Sequence, residues 1–179
     1  VATRGFADDR ATLDTGARIL LAIEDDVEFV QILYKLAHDL GYQCLVAGNA
    51  ADGLRLATEF SPDAILLDIG LPDVSGMTVL QKLKRNPDTR HIPVHIISAA
   101  DRMETALQMG AVGYAVKPTT RESLQQMFER IEEKLTRKMK HVLLVEDDPL
   151  QRESIRHLIG EEDIEITAVE TGAEAMELL

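Results

Sequence analysis

A doubly wound α/β domain, with a parallel β-sheet covered by helices on both faces, is the fold class this sequence predicts, and three observations predict it. Short apolar runs alternate strictly with segments of helical spacing, giving five βα units between residues 18 and 138. The third run, Ala64–Leu67, is apolar throughout rather than alternating, as a strand buried on both faces requires. That run ends abruptly in the acid Asp68, with Pro72 and Gly76 close behind. Strand, turn and crossover helix in this order build a parallel sheet with right-handed connections.

Taken in order, residues 1–17 are polar, show little periodicity and read as a linker. Ile19–Ile23 is a strand, and after the acids Glu24, Asp25 and Asp26 the spacing of Val30, Leu33, Ala37 and Leu40 predicts a helix that Gly41 closes. Cys44–Ala47 is the second strand, and Ala50, Leu54 and Ala57 mark a helix ending before Pro62. After the third strand, Met77, Leu80 and Leu83 give a helix that stops at Asn86 and Pro87. Val94–Ile97 is the fourth strand; the helix after it places Met103, Ala106 and Leu107 inward and ends at Gly110. Val112–Val116 is the fifth strand, and Leu124, Phe128, Ile131 and Leu135 line one face of a long last helix, expected to continue toward Met139.

Composition narrows the partners. A net charge of -12 argues against nucleic acid or an anionic membrane as the partner of this chain, because like charges repel at long range. No apolar stretch approaches the roughly 20 residues that span a bilayer, and no signal peptide opens the sequence. The lone Cys44 cannot form an intrachain disulfide, so a cytoplasmic protein is expected. The first residue is Val1 rather than Met, which suggests a piece of something longer or processed.

In open α/β sheets ligands sit beyond the carboxyl ends of the strands. Strands one and three usually lie side by side in such sheets, so Glu24, Asp25 and Asp68 are expected at one edge. Three carboxylates together repel unless a cation compensates. Mg²⁺ suits oxygen ligands of this kind and bridges to phosphate oxygens, and no His or Cys cluster offers a softer site. Strand four adds the hydroxyl of Ser98 and strand five the ammonium of Lys117, so that Mg²⁺ and Lys117 balance the acids and a phosphoryl group can approach without net repulsion. Each residue also has a plainer role: Asp68 bonding its own turn, Asp25 with Glu28 capping the first helix, Ser98 with Asp101 capping the fourth, Lys117 solvated at the surface.

As a set, these positions resemble the receiver domains of two-component response regulators over about residues 18–138. The acid pair matches Glu24 and Asp25, the phosphoacceptor Asp68 within DxxLPxxxG, the hydroxyl Ser98, and the Lys-Pro pair Lys117 and Pro118. Tyr114 falls where such domains carry an aromatic switch. The resemblance implies a flavodoxin-like (βα)5 fold with sheet order 2-1-3-4-5, a cis peptide before Pro118, and the Gly70 carbonyl as a further metal ligand. It also implies the chemistry: Asp68 takes a phosphoryl group from a phosphohistidine donor, a histidine kinase or His phosphotransfer domain, with Mg²⁺ held by Glu24, Asp25 and Asp68. Lys117 and Ser98 hold phosphoryl oxygens, and Ser98 and Tyr114 carry the switch. Ser98 stands where Thr is more usual, and Gly70 and Ala100 are small at positions tied to phosphate lifetime.

KHVLLVEDD at 140–148 repeats RILLAIEDD at 18–26 with an offset of 122 residues, and Gly172–Leu179 tracks Ala50–Ala57 without a gap. Residues 139–179 therefore read as the N-terminal part of a second receiver, with Glu146, Asp147 and Asp148 as its acids. Lacking a third strand, this part is expected to be held by a second molecule, a homodimer among the options, or by further chain. The leading parent is a hybrid sensor histidine kinase whose kinase core lies outside this chain; a multi-receiver response regulator is the rival. A haloacid-dehalogenase-type phosphatase also uses a strand-end Asp but needs a second Asp where Gly70 stands. A receiver-like interaction module that is never phosphorylated is the remaining alternative.

Overall fold

The computed structural model describes residues 8–14, 16–99, 102–117, 120–136, 140–159 and 164–178. They fall into two compact units, Val1–Glu132 and Glu133–Leu179.

The first unit holds β1 (Arg18–Ile23), α1 (Val27–Asp39), β2 (Tyr42–Ala47), α2 (Ala50–Phe60), β3 (Ala64–Asp68), α3 (Gly76–Arg85), β4 (Val94–Ser98), α4 (Met103–Gln108), β5 (Gly113–Val116) and the start of α5 (Arg121–Thr136). The five strands form one sheet in the order β2-β1-β3-β4-β5, every pair parallel. Because successive strand residues point to opposite faces, the Val, Ile and Leu runs feed two cores. Leu21, Ile23, Leu45, Ile65, Leu67, Val94 and Ile96 pack with Leu56 and Ala57 of α2, Val79, Leu80 and Leu83 of α3, and Ala106 of α4. The alternate strand residues Leu20, Ala22, Cys44, Val46, Leu66 and Ile97 are buried as well, as are Val30, Leu33 and Ala37 of α1 and Leu124, Phe128 and Ile131 of α5. The Phe128 ring meets Tyr42 of β2 edge-on, at 5.9 Å between centroids.

Three local features differ from the sequence expectations. The cap of α1 is Asp26, whose Oδ1 accepts from Glu28 N (2.9 Å) and Phe29 N (3.2 Å), so Asp25 does not cap. The strand runs to Ile23 and the helix starts at Val27, which moves the capping position one residue on. In α4 only Ala106 is buried; Met103 and Leu107 are each 45% exposed, because six residues present a single position to the sheet. Nor does Ser98 cap that helix: it ends β4, and the α4 cap position, Arg102, makes no side-chain cap bond.

The segment expected as a linker is also more than a connection. Residues Asp9–Ala11 form a turn of 3-10 helix against the open edge of β2. Asp9 Oδ2 accepts from Cys44 N at 2.6 Å and Asp8 Oδ2 from Val46 N at 2.8 Å, while Arg10 Nη2 donates to the Val46 carbonyl at 2.9 Å. Two carboxylates and a guanidinium thus take the bonds a sixth strand would make, and an edge so covered is a poor template for pairing. Asp9 is 7% exposed and also accepts from the Tyr34 hydroxyl at 2.6 Å, which helps to push the Tyr34 phenol up to about 12.

The second unit contains β6 (Lys140–Val145), α6 (Pro149–Ile159), β7 (Ile164–Val169) and α7 (Gly172–Leu178), with β6 and β7 parallel. Its register repeats that of the first unit: Arg18 pairs with Tyr42 and Lys140 with Ile164, Ile23 with Ala47 and Val145 with Val169. The turn after the strand repeats too. Asp26 N donates to Glu24 Oε1 at 3.2 Å, and Asp148 N to Glu146 Oε1 at 3.1 Å. Among the described residues of this unit only Ala175 is buried, and Leu150 and Leu158 are 79% and 82% exposed. The expected continuation of α5 toward Met139 and the cis peptide before Pro118 lie outside the described residues, as does Ala100.

Candidate functional site

The carboxyl ends of β1, β3, β4 and β5 are neighbours in the sheet, and each delivers a polar group to the same edge. β1 runs directly into Glu24 and Asp25, and β3 ends on Asp68 itself. One carboxylate oxygen from each of the three acids lies within 4.8 Å of the others. Glu24 is 3% exposed and Asp68 8%, whereas Asp25 is open to solvent. Burial pushes the Glu24 carboxyl up, and the nearby Asp68 charge adds to that, although Lys117 pulls the other way. Excess negative charge in a partly dry pocket with only oxygen donors fits a hard divalent cation such as Mg²⁺.

Lys117 provides the counter-charge. Its Nζ donates to Glu24 Oε2 at 2.6 Å and lies 3.3 Å from Asp68 Oδ2. Burial works against its charge, but the bond to Glu24 and the charges of Glu24 and Asp68 outweigh it, so the ammonium is held above its usual range. Both groups are thus raised, Glu24 because burial outweighs Lys117 and Lys117 because its acidic partners outweigh burial. The ring of Phe29, in the first turn of α1, covers the ammonium at 4.6 Å from its centroid. No sequence signal marked Phe29, because a residue in the first turn of a helix shows no periodic sign of what it faces.

Ser98 is 3% exposed at the end of β4, and its carbonyl accepts from Lys117 N at 2.8 Å. Tyr114, opposite Ile96 in the β4–β5 register, packs its half-buried ring against the core on the α4 side. Its hydroxyl accepts from Arg102 N at 3.2 Å, which ties β5 to the start of α4. After β3 the chain turns tightly. A Cβ on Gly76 would lie 2.0 Å from the Asp68 carbonyl oxygen, so glycine alone lets α3 start against the end of that strand. Gly70 is exposed two residues past Asp68, and a Cβ there would meet Asp68 Oδ2 at 3.5 Å.

The model of the response regulator receiver domain family matches residues 20–129. The chain belongs to that family. Its likeness to PilH of Pseudomonas aeruginosa is 34% identity over 114 residues, 60% of this chain and 91% of that protein. The response regulator PleD of Caulobacter vibrioides is 36% identical over 149 residues, covering 80% of this chain but only 30% of PleD. Among solved structures, the receiver domain of the sensor histidine kinase PA1611 from Pseudomonas aeruginosa, described with a magnesium ion coordinated in its active site cleft, is 26% identical with a TM-score of 0.59. That likeness covers 65% of this chain and 99% of the other. The chemotaxis protein CheY4 of Vibrio cholerae shares the receiver fold at 22% identity and a TM-score of 0.60, over 65% of this chain and 99% of its own.

Receivers are the phosphoacceptor modules of two-component systems, and the acidic pocket at the sheet edge is the feature through which they take Mg²⁺. No helix among the described residues is long and apolar enough to cross a membrane.

Proposed function

We propose that Asp68 is the phosphoacceptor of a two-component relay, receiving a phosphoryl group from a phosphohistidine on a partner protein. The observation that carries this reading is the placing of one nearly buried carboxylate, Asp68, 3.3 Å from an ammonium and within 4.8 Å of two further acids. An Asp68 oxygen attacks phosphorus, the new O–P bond forms as the P–N bond breaks, and the imidazole nitrogen leaves with the electron pair. Lys117 stands where it can take a phosphoryl oxygen, its ammonium already drawn to this edge by Glu24 and covered by Phe29. Ser98, one strand over, offers a hydroxyl to another. Glu24, Asp25, Asp68 and the Gly70 carbonyl are the residues that would hold Mg²⁺, which when bound neutralises charge on the phosphoryl oxygens. The resulting aspartyl phosphate biases the surface around α4, β5 and α5 through Ser98 and Tyr114, whose hydroxyl now engages Arg102.

Residues 139–179 are read as the start of a second receiver. The shared register, the repeated Glu24 and Glu146 turns and a likeness to PleD covering 80% of this chain, more than the first unit alone, support it. The likeness to the receiver of a sensor histidine kinase supports a hybrid kinase as parent, and the likeness to the response regulator PleD supports a response regulator as the rival.

Phosphoramidate, a small P–N donor, tests the reading directly. With Mg²⁺ the protein is expected to gain one phosphoryl group, and Asp68→Asn to gain none; equal labelling of the variant contradicts the assignment.

A further inference from the structure

The loop between β3 and α3 has to hold Gly70 in place, yet Gly70, Pro72, Asp73, Val74 and Ser75 all face solvent. Its closing bond, Gly76 N to the Ile69 carbonyl at 2.9 Å, fixes only its two ends. Inside the loop Leu71 is 9% exposed, and Asp73 reaches out of it. Asp73 Oδ1 accepts from Ala50 N at 2.8 Å and Oδ2 from Ala51 N at 3.1 Å.

These are the first N–H groups of α2, which no bond within the helix can satisfy. The helix already has its own cap, since Asn49 Oδ1 accepts from Asp52 N at 2.9 Å. A second cap arriving from 23 residues down the chain therefore does more for the loop than the helix needs. The bonds from Ala50 and Ala51 hold the Asp73 carboxyl below the usual carboxylate range, so it is charged at neutral pH.

The stretch that Asp73 grips is also bonded to the other half of the acidic pocket. Glu24 N donates to the Ala47 carbonyl at 2.8 Å, just before the α2 cap. Residues 47–51 thus fix the turn after β1, which carries Glu24 and Asp25, and the loop after β3, which carries Gly70. Deepening the phosphoacceptor reading above and resting on it, we propose that Asp73 is a positioning residue: it clamps the β3–α3 loop to the β2–α2 turn and so sets the spacing between the two halves of the cation site. A misplacement of an ångström at such a site is costly to phosphoryl transfer.

The test measures Mg²⁺ affinity by calorimetry and phosphoryl uptake from phosphoramidate on the full chain. Asp73→Ala is expected to weaken Mg²⁺ binding about tenfold, the lower end for a residue that supports ligands without touching the metal, and to slow uptake at saturating Mg²⁺. Asp73→Asn keeps one acceptor oxygen and recovers part of both. Asn49→Ala removes the helix's own cap and lowers thermal stability, but leaves affinity and rate within about twofold of wild type, because the loop stays clamped. An Asp73→Ala protein that matches wild type overturns the clamp alone. So does an Asn49→Ala protein that loses as much affinity, since helix stability then accounts for the effect. A wild type that takes up neither Mg²⁺ nor phosphate overturns the site reading and the clamp with it.

Discussion

Lys117 Nζ donates a 2.6 Å hydrogen bond to Glu24 Oε2 across 93 residues of chain, joining the ends of β5 and β1 over the Asp68 carboxylate between them. The bond occupies Glu24, so the ammonium and a bound cation compete for one buried carboxylate. Lys117→Met is therefore expected to bind Mg²⁺ at least as tightly as wild type, while phosphoryl uptake falls by about 10²-fold through loss of a charged donor to the transferring group. Calorimetry and phosphorylation kinetics on the same sample check it; parallel losses in both would contradict this division of roles.

Phe29 covers that ammonium from the first turn of α1. Phe29→Leu keeps an apolar side chain but removes the aromatic face, worth about 0.5–1 kcal/mol at a partly exposed cation. Phosphoryl uptake should slow by about two- to fivefold with little change in melting temperature.

Most of the fold was legible because its strands are uninterrupted apolar runs and its helices carry one apolar stripe, and these are the patterns a buried parallel sheet imposes. Glu24, Asp68 and Lys117 were legible because a charge that ends an apolar run has few places to go but the sheet edge. The strap of residues 8–14 was not, since carboxylates bonding to the main-chain N–H groups of β2 leave no periodic trace. Asp73 escaped for the same reason: its partners, Ala50 N and Ala51 N, are backbone groups with no side-chain signature. Met103 and Leu107 misled because spacing alone does not show how short the helix is.

The strap gives a pH dependence whose sign is fixed. Burial raises the Asp8 and Asp9 carboxyls, but the bonds from Arg10 and Val46 N to Asp8, and from Tyr34, Cys44 N and His38 to Asp9, outweigh it, so both sit below the usual carboxylate value. Their contribution to stability is present above about pH 4 and is lost as the pH falls through the lower folded values. Amide exchange at Cys44 and Val46 is expected to be slow at pH 7 and to rise, relative to β1, on acidification below pH about 4. Asp9→Ala should cost about 1–3 kcal/mol at neutral pH by leaving the buried Cys44 N–H without its acceptor.

Gly76→Ala is expected to destabilise the protein by about 2–3 kcal/mol or more, because its Cβ would meet the backbone of Asp68 and Ile69, which has no rotamer through which to yield. Thermal unfolding of the two proteins side by side checks this, and an unchanged midpoint would show that the turn after β3 has room to open.

The central claim, that Asp68 is the residue that accepts the phosphoryl group, is tested most directly by borohydride trapping. Reduction of an aspartyl phosphate converts that aspartate to homoserine, which peptide mapping locates. After treatment with phosphoramidate and Mg²⁺, homoserine is expected at position 68 and nowhere else, and it should vanish when Mg²⁺ is withheld. Homoserine at Asp25 or Asp73, or a phosphorylated protein with no homoserine at all, would contradict the account.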